Sequence, residues 1–325
     1  MTGGVLVVDK PAGPTSFEVV DRVRRLAGAR KAGHTGTLDP MATGVLAVCL
    51  DDAVKLQQWL TEGDKSYEAT VAFGSATDTE DAEGRVVATG DPGGLDADRV
   101  RAALPALTGW IEQVPPMFSA VRVGGRRLHA AARAGEAVHR APRRVVVHAL
   151  RLDGWEAARD GIARARLTVS CGKGTYVRTL AASLGAALGV PAHLEALRRT
   201  AAGPFTLEGA VPLAEVEALA RAGALASRIV PPAAALVGMP EVRLAPEEVQ
   251  ALVHGRQVAR RAPAPLCRAL DGDGRLVAVC GPDRTGERLA PLRVFAGRDP
   301  GEDRRGGEPD GRRPPAAGGR DGRSR

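Results

Sequence analysis

At 325 residues the chain has room for two domains at roughly 150 residues each. Its apolar content comes mostly from Ala, Val and Leu, and its net charge is +7, with only five Lys among 45 basic residues; Arg-rich surfaces suit phosphate and base contacts, so a polyanionic partner is expected. No uncharged apolar run reaches ~18 residues, and the N-terminus lacks a basic region followed by a long apolar run, which excludes a transmembrane helix and a signal peptide from the expectations. The four cysteines form no C-x-x-C pair and no His/Cys cluster has metal-ligand spacing, so buried thiols in a reducing cytoplasm and no metal are expected.

Val5-Leu6-Val7-Val8 reads as a strand ended by Asp9-Lys10-Pro11-Ala12-Gly13-Pro14, a run of turn residues. Thr15 and Glu18 form a capping box for a helix that carries Val19, Val20, Val23 and Leu26 on one face and ends at Gly28. The basic pair Arg30-Lys31 suits either a phosphate backbone or a solvated turn. It leads into Gly33-His34-Thr35-Gly36-Thr37-Leu38-Asp39-Pro40-Met41-Ala42-Thr43-Gly44, then into a buried strand, Val45 to Leu50. This polar, glycine-flanked loop admits three readings: a turn in which Asp39 caps backbone donors, a phosphate cradle, or a catalytic aspartate. The cradle fits poorly, because the loop has no Lys and its glycines match neither common phosphate-binding spacing.

Asp51 or Asp52 can cap a short helix through Trp59. Lys65 to Phe73 alternates with period two, which puts Tyr67, Ala69, Val71 and Phe73 on one face. The acidic stretch from Thr77 to Gly84 reads as a solvated hairpin, and residues 96–108 as an amphipathic helix. A proline-led strand is expected over 114–123, a basic helix over 127–134, and alternating strands near 143–153 and 162–171. Gly172-Lys173-Gly174-Thr175-Tyr176-Val177-Arg178-Thr179 is a second glycine-flanked polar stretch at a strand end, followed by a helix with Leu180, Leu184 and Leu188 on one face. A strand over 194–200 and a helix near 212–222 complete a first domain of residues 1–235.

Pro231-Pro232 and Gly238-Met239-Pro240 suggest a boundary. Residues 240–297 combine a short helix, Glu247 to Val253, with at least three short strands, which suits a small β-barrel. Residues 298–325 are Gly, Pro, Arg and Asp with almost nothing apolar and are expected to be disordered. This tail holds eight Arg and six acidic residues, so most of the basic balance lies outside it.

Five motifs in order resemble those of the TruB-type tRNA pseudouridine synthases. They are Gly4-Val5-Leu6-Val7-Val8-Asp9-Lys10-Pro11, the Gly33–Gly44 loop, Lys65-Ser66-Tyr67, Lys173-Gly174-Thr175-Tyr176-Val177-Arg178, and Leu197-Arg198-Arg199. The resemblance covers about residues 4–210 strongly and extends more weakly to 297. It implies an α+β fold: a mixed, mainly antiparallel sheet with flanking helices, plus a C-terminal PUA-like β-barrel that touches the acceptor end of tRNA. It also implies isomerisation of uridine 55 in the T-arm without a cofactor, by an enzyme with no obligate protein partner.

By the same resemblance Asp39 is the essential aspartate, Tyr67 stacks on the target base and Arg178 pairs with the aspartate. Tyr176 lines the uridine pocket, Leu197 touches the base, and His34 enters the T-loop as the uridine leaves its stack. Phe118 and Arg122 depart from the commoner Tyr and Lys and keep shape or charge.

The chemistry asks for these residue types on its own account. Uracil must detach at N1 and rejoin at C5, with no redox change. A carboxylate can add covalently to the substrate or take a proton from the ribose. It must be ionised, and an Arg partner is expected to lower its pKa. An aromatic face holds a base by about 1–3 kcal/mol, and extrusion costs a few kcal/mol. A tRNA-folding protein with secondary catalysis is the rival reading, and the intact Asp39, Tyr67 and Arg178 favour the enzyme.

Overall fold

The computed structural model describes residues 3–117, 122–123, 126–127 and 139–295. The Phe118 position, the helix expected over 127–134 and the tail from residue 298 lie outside these. Two compact units are present: residues up to Glu241 with Asp273–Arg275, and Val242–Gly272 with the chain from Leu276 on.

The first unit is built on one mixed sheet. Its main strands are β1 (Val5–Lys10), β2 (Ala32–His34), β3 (Thr43–Leu50), β4 (Lys65–Phe73), β5 (Gly109–Gln113), β6 (Arg143–Arg159), β7 (Ile162–Cys171) and β8 (Ala192–Ala202). Their order across the sheet is β1-β3-β8-β4-β7-β6-β5, with β2 paired to β3. Neighbours are antiparallel except β3 and β8, which run parallel through Thr43–Arg198 and Gly44–Arg199. That junction brings the Asp39 loop, which feeds β3, beside the Leu197-Arg198-Arg199 motif on β8.

The expected alternation on β4 holds: Tyr67, Ala69, Val71 and Phe73 are buried, while Glu68 between them is exposed. Helix α1 (Ser16–Leu26) is opened by the Thr15/Glu18 capping box and buries Val19, Val20 and Val23. After α2 (Ala97–Ala103), α3 (Val177–Leu188) buries Leu180 and Leu184, which join the residues of α1 and β4 in one hydrophobic core. Gly189, with φ 73°, ends α3 in the left-handed region that favours glycine.

Three local expectations need correction. Asp51 does not cap the helix after β3; its carboxylate accepts the Arg30 and Lys31 N–H groups, and the helical turn Asp51–Leu56 has Leu50 at its N-cap with no side-chain cap. Of the strand expected over 114–123, Val114 to Pro116 are not strand while Arg122–Val123 are, paired with Arg126–Arg127; a further strand lies just upstream as β5, where Ile111 and Gln113 turn inward between exposed Trp110 and Glu112. The Thr77–Gly84 stretch joins a hairpin, Ser75–Thr77 with Val86–Thr89, and yet is not simply solvated, because Asp81 is buried.

The second unit holds a four-stranded sheet ordered Glu241–Arg243, Cys267–Leu270, Leu276–Pro282, Leu289–Val294. Helix Pro246–Val253 supplies Leu252 to its core. Cys267 and Cys280 face each other across adjacent strands as buried free thiols.

Candidate functional site

Asp39 sits at the bend between β2 and β3, and almost every polar group of that bend is gripped. The Ser16 hydroxyl donates to the Leu38 carbonyl and accepts from the Leu38 N–H, both at 2.8 Å. The ammonium of Lys10, fully buried, donates to the Pro40 carbonyl at 3.0 Å and the Ala42 carbonyl at 2.8 Å, and the Gly13 N–H also reaches Pro40. From the far side Arg199, another buried cation, donates to the carbonyls of Gly36, Thr37 and Val45. Burial holds the Lys10 pKa down at about 8, with Asp39 pulling it back up. These long side chains take the place of backbone pairing in a segment too irregular to join the sheet.

Gly44 marks the exit of the bend. Its φ is 100°, and a Cβ there would lie 2.2 Å from the Arg199 carbonyl oxygen. Only glycine lets β3 approach β8 this closely.

Arg178, in the first turn of α3, meets Asp39. Its Nε lies 2.9 Å from Asp39 Oδ2, and one terminal nitrogen reaches Oδ1 at 3.4 Å. The guanidinium is 4 % exposed and the aspartate 33 %, so one carboxylate face remains open. The other terminal nitrogen donates to the Thr79 carbonyl at 2.9 Å and lies 3.3 Å from Asp81 Oδ2. Asp81 is itself held by the Thr79 hydroxyl at 2.6 Å and the Glu83 N–H at 3.1 Å. One arginine is thus shared by two aspartates. The acidic stretch gave no periodic signal for this.

Arg178 lowers the Asp39 pKa as expected, but the net direction is upward. Asp39 is held above the ordinary carboxylate range: burial pushes it up, Arg178 pulls it down, and Asp81 pushes it up again. Desolvation is the largest of these effects and outweighs the arginine.

The remaining expected residues lie on β2, β4 and β8 and just before α3. Tyr67, on β4, is opposite Arg199 in the sheet register, and its hydroxyl takes a hydrogen bond from that guanidinium. Burial raises the Tyr67 pKa against the pull of Arg199. Leu197, on β8, is opposite Ala69, so it lies on the sheet two residue pairs along from Tyr67. His34 ends β2; its Nδ1 accepts the Gly36 N–H, which fixes the proton on Nε2, and burial with Arg199 nearby lowers its pKa. Tyr176 is extended and immediately precedes α3, two residues before Arg178. Gln113 was missed in the sequence; both ends of its buried amide engage the Tyr176 backbone.

A cavity of about 300 Å³ lies beside Tyr176, lined also by Gln113, Arg143 and Lys173. A larger open depression of about 620 Å³ by Leu104 and Leu152 shares no residue with the Asp39 cluster. Among the described residues no group of His, Cys, Asp and Glu is arranged to hold a metal, and no helix is long and apolar enough to cross a membrane.

A mixed sheet with an Arg-clamped aspartate at the parallel junction of two strands, together with a second β unit, defines an RNA-uridine isomerase of the pseudouridine-synthase class. Family models agree along the chain. Residues 24–177 match the TruB family pseudouridylate synthase N-terminal domain, 178–237 the tRNA pseudouridylate synthase B C-terminal domain, and 239–296 the tRNA pseudouridine synthase II C-terminal domain. The chain belongs to the TruB family of pseudouridine synthases. It is 48 % identical to tRNA pseudouridine synthase B of Aromatoleum aromaticum over 297 residues, covering 90 % of this chain and 92 % of the relative. The protein of the same name from Thermobifida fusca is 44 % identical over 91 % of this chain and all of its own. Among solved structures, a Cbf5-Nop10-Gar1 complex matches with a TM-score of 0.67 at 27 % identity, covering 91 % of this chain and 86 % of the matched one. A matching chain from an H/ACA RNP bound to a substrate RNA containing 2'-deoxyuridine has the same TM-score at 26 % identity and the same coverage.

Proposed function

We propose that this protein converts uridine 55 in the T-arm of tRNA to pseudouridine, acting alone in the cytoplasm and without a cofactor. The observation that carries this reading is Asp39 itself: a carboxylate immobilised by Arg178 and open on one face, in a bend that enters the sheet beside the Leu197-Arg198-Arg199 motif. In the reaction the C1'–N1 bond breaks, the detached uracil turns, and a C1'–C5 bond forms. The proton lost from C5 balances the one gained at N1, so acid/base and electrostatic groups suffice.

In this reading Asp39 touches the reacting nucleoside and Arg178 keeps it ionised and aimed. Tyr67 takes the base by its face while Leu197 and Tyr176 line the pocket. His34, half exposed at the mouth of the loop, enters the T-loop where the uridine leaves. The second unit, matched by the C-terminal family model, is assigned to the acceptor end of tRNA. Modification mapping of tRNA from cells lacking the protein tests the target: loss of pseudouridine at position 55 alone supports it, and an intact position 55 overturns it.

A further inference from the structure

One buried polar side chain spends its hydrogen bonds on the backbone of Tyr176, two residues before Arg178. Gln113 is the last residue of β5, paired with Arg143 on β6, and is 4 % exposed. Its Oε1 accepts the Tyr176 N–H at 3.0 Å and its Nε2 donates to the Tyr176 carbonyl at 3.2 Å. A side-chain amide here does what a second strand would do. It fixes the peptide groups on both sides of the Tyr176 α-carbon.

That residue is where α3 begins. The Tyr176 carbonyl also accepts the Leu180 N–H at 3.0 Å, the first hydrogen bond of the helix, while the Tyr176 side chain supplies no cap. The rotation of the first turn is therefore set from outside the helix. Arg178 lies in that turn, and its guanidinium must reach Asp39, Asp81 and the Thr79 carbonyl together. A small change in where α3 starts is enough to separate those contacts, because the three partners come from two different segments. We infer that Gln113 is a positioning residue for catalysis: its amide sets the start of α3, and so the alignment of Arg178 on Asp39.

This rests on the proposed pseudouridine synthesis, and the wild-type control separates the two. Full-length protein in excess over a T-arm stem-loop gives the single-turnover rate and, separately, the RNA Kd. If wild type forms no pseudouridine, the functional reading falls; if wild type is active and the variants behave like it, only the role of Gln113 falls. With Gln113→Leu the rate constant should drop about tenfold or more, as small misplacements at reacting centres do, with the Kd little changed.

In the Arg178→Lys background the same substitution should cost much less, since its route to the chemistry is already broken. Gln113→Glu supplies an independent arm. Its carboxylate can accept the Tyr176 N–H but cannot donate to the carbonyl until it is protonated. The ratio of variant to wild-type rate should therefore climb as pH falls. A merely structural glutamine predicts otherwise: full rate in the folded Gln113→Leu variant, an undiminished penalty beside Arg178→Lys, or a loss confined to Kd. Any of these overturns the inference, and if Gln113→Leu does not fold, a pH-independent ratio for Gln113→Glu does so.

Discussion

Asp39 is ionised at a cost. Its carboxyl is held above the ordinary aspartate range by burial and by Asp81, with Arg178 only partly compensating. For an acid whose pKa is higher in the fold than in the unfolded chain, the charged form destabilises the native state above that folded pKa. The penalty fades as pH falls through the folded pKa and is gone below the unfolded value, about 3.9. Asp39→Asn should therefore abolish pseudouridine formation while its Tm at neutral pH stays at or above that of wild type, the usual trade of stability for function. A variant that keeps substantial turnover would remove Asp39 from the chemistry. Asp81→Asn acts on the same balance. Removing its charge takes away one cause of the raised Asp39 pKa, so the acidic limb of the pH–rate profile should move to lower pH. The rate plateau should fall as well, because Arg178 loses one anchor; an acidic limb that stays in place would mean that the two aspartates are not coupled.

At the scale of the element, the bend from Gly33 to Gly44 works because other elements hold it. Lys10 from β1, Ser16 from α1 and Arg199 from β8 each reach carbonyls that the bend cannot satisfy itself. Gly44→Ala should cost more than about 2 kcal/mol in denaturant unfolding, from its positive φ together with the clash against Arg199. A stability close to wild type would mean that β3 and β8 separate easily. This scale also shows what the sequence made legible. Alternation on β4 and the capping box of α1 are local signals, and the structure keeps both. The Asp39 loop and the Tyr176/Arg178 stretch stood out because their glycines and polar residues make no sense as core. Asp81 and Gln113 did not stand out, since their partners are 97 and 63 positions away and nothing local distinguishes a buried Asp or Gln from a solvated one. The net direction of the Asp39 pKa was not legible either: the pairing with one arginine was, and the depth of burial and the nearby Asp81 were not.

At the scale of the molecule, the individual strands of both units follow from strand-length runs, the mainly antiparallel sheet was implied by the family resemblance alone, and the strand order follows from contacts that no run of residues specifies. The balance of charge is a property of the whole chain and has a consequence that no single residue carries. With a net charge of +7 and 40 of its 45 cations arginine, the protein should meet RNA first through phosphates. Each neutralised phosphate releases condensed counterions, so log Kd for a T-arm stem-loop should rise linearly with log salt, with a slope of about 0.7–0.9 per contact. The single-turnover rate of the saturated complex should barely change over the same range, because Arg178 lies buried against Asp39, where salt screens weakly. Titrations by fluorescence anisotropy and single-turnover assays from low to moderate salt separate the two quantities. An affinity flat across that range would sink the electrostatic docking surface. A rate that fell in step with affinity would place the Asp39–Arg178 pair in contact with solvent during the reaction.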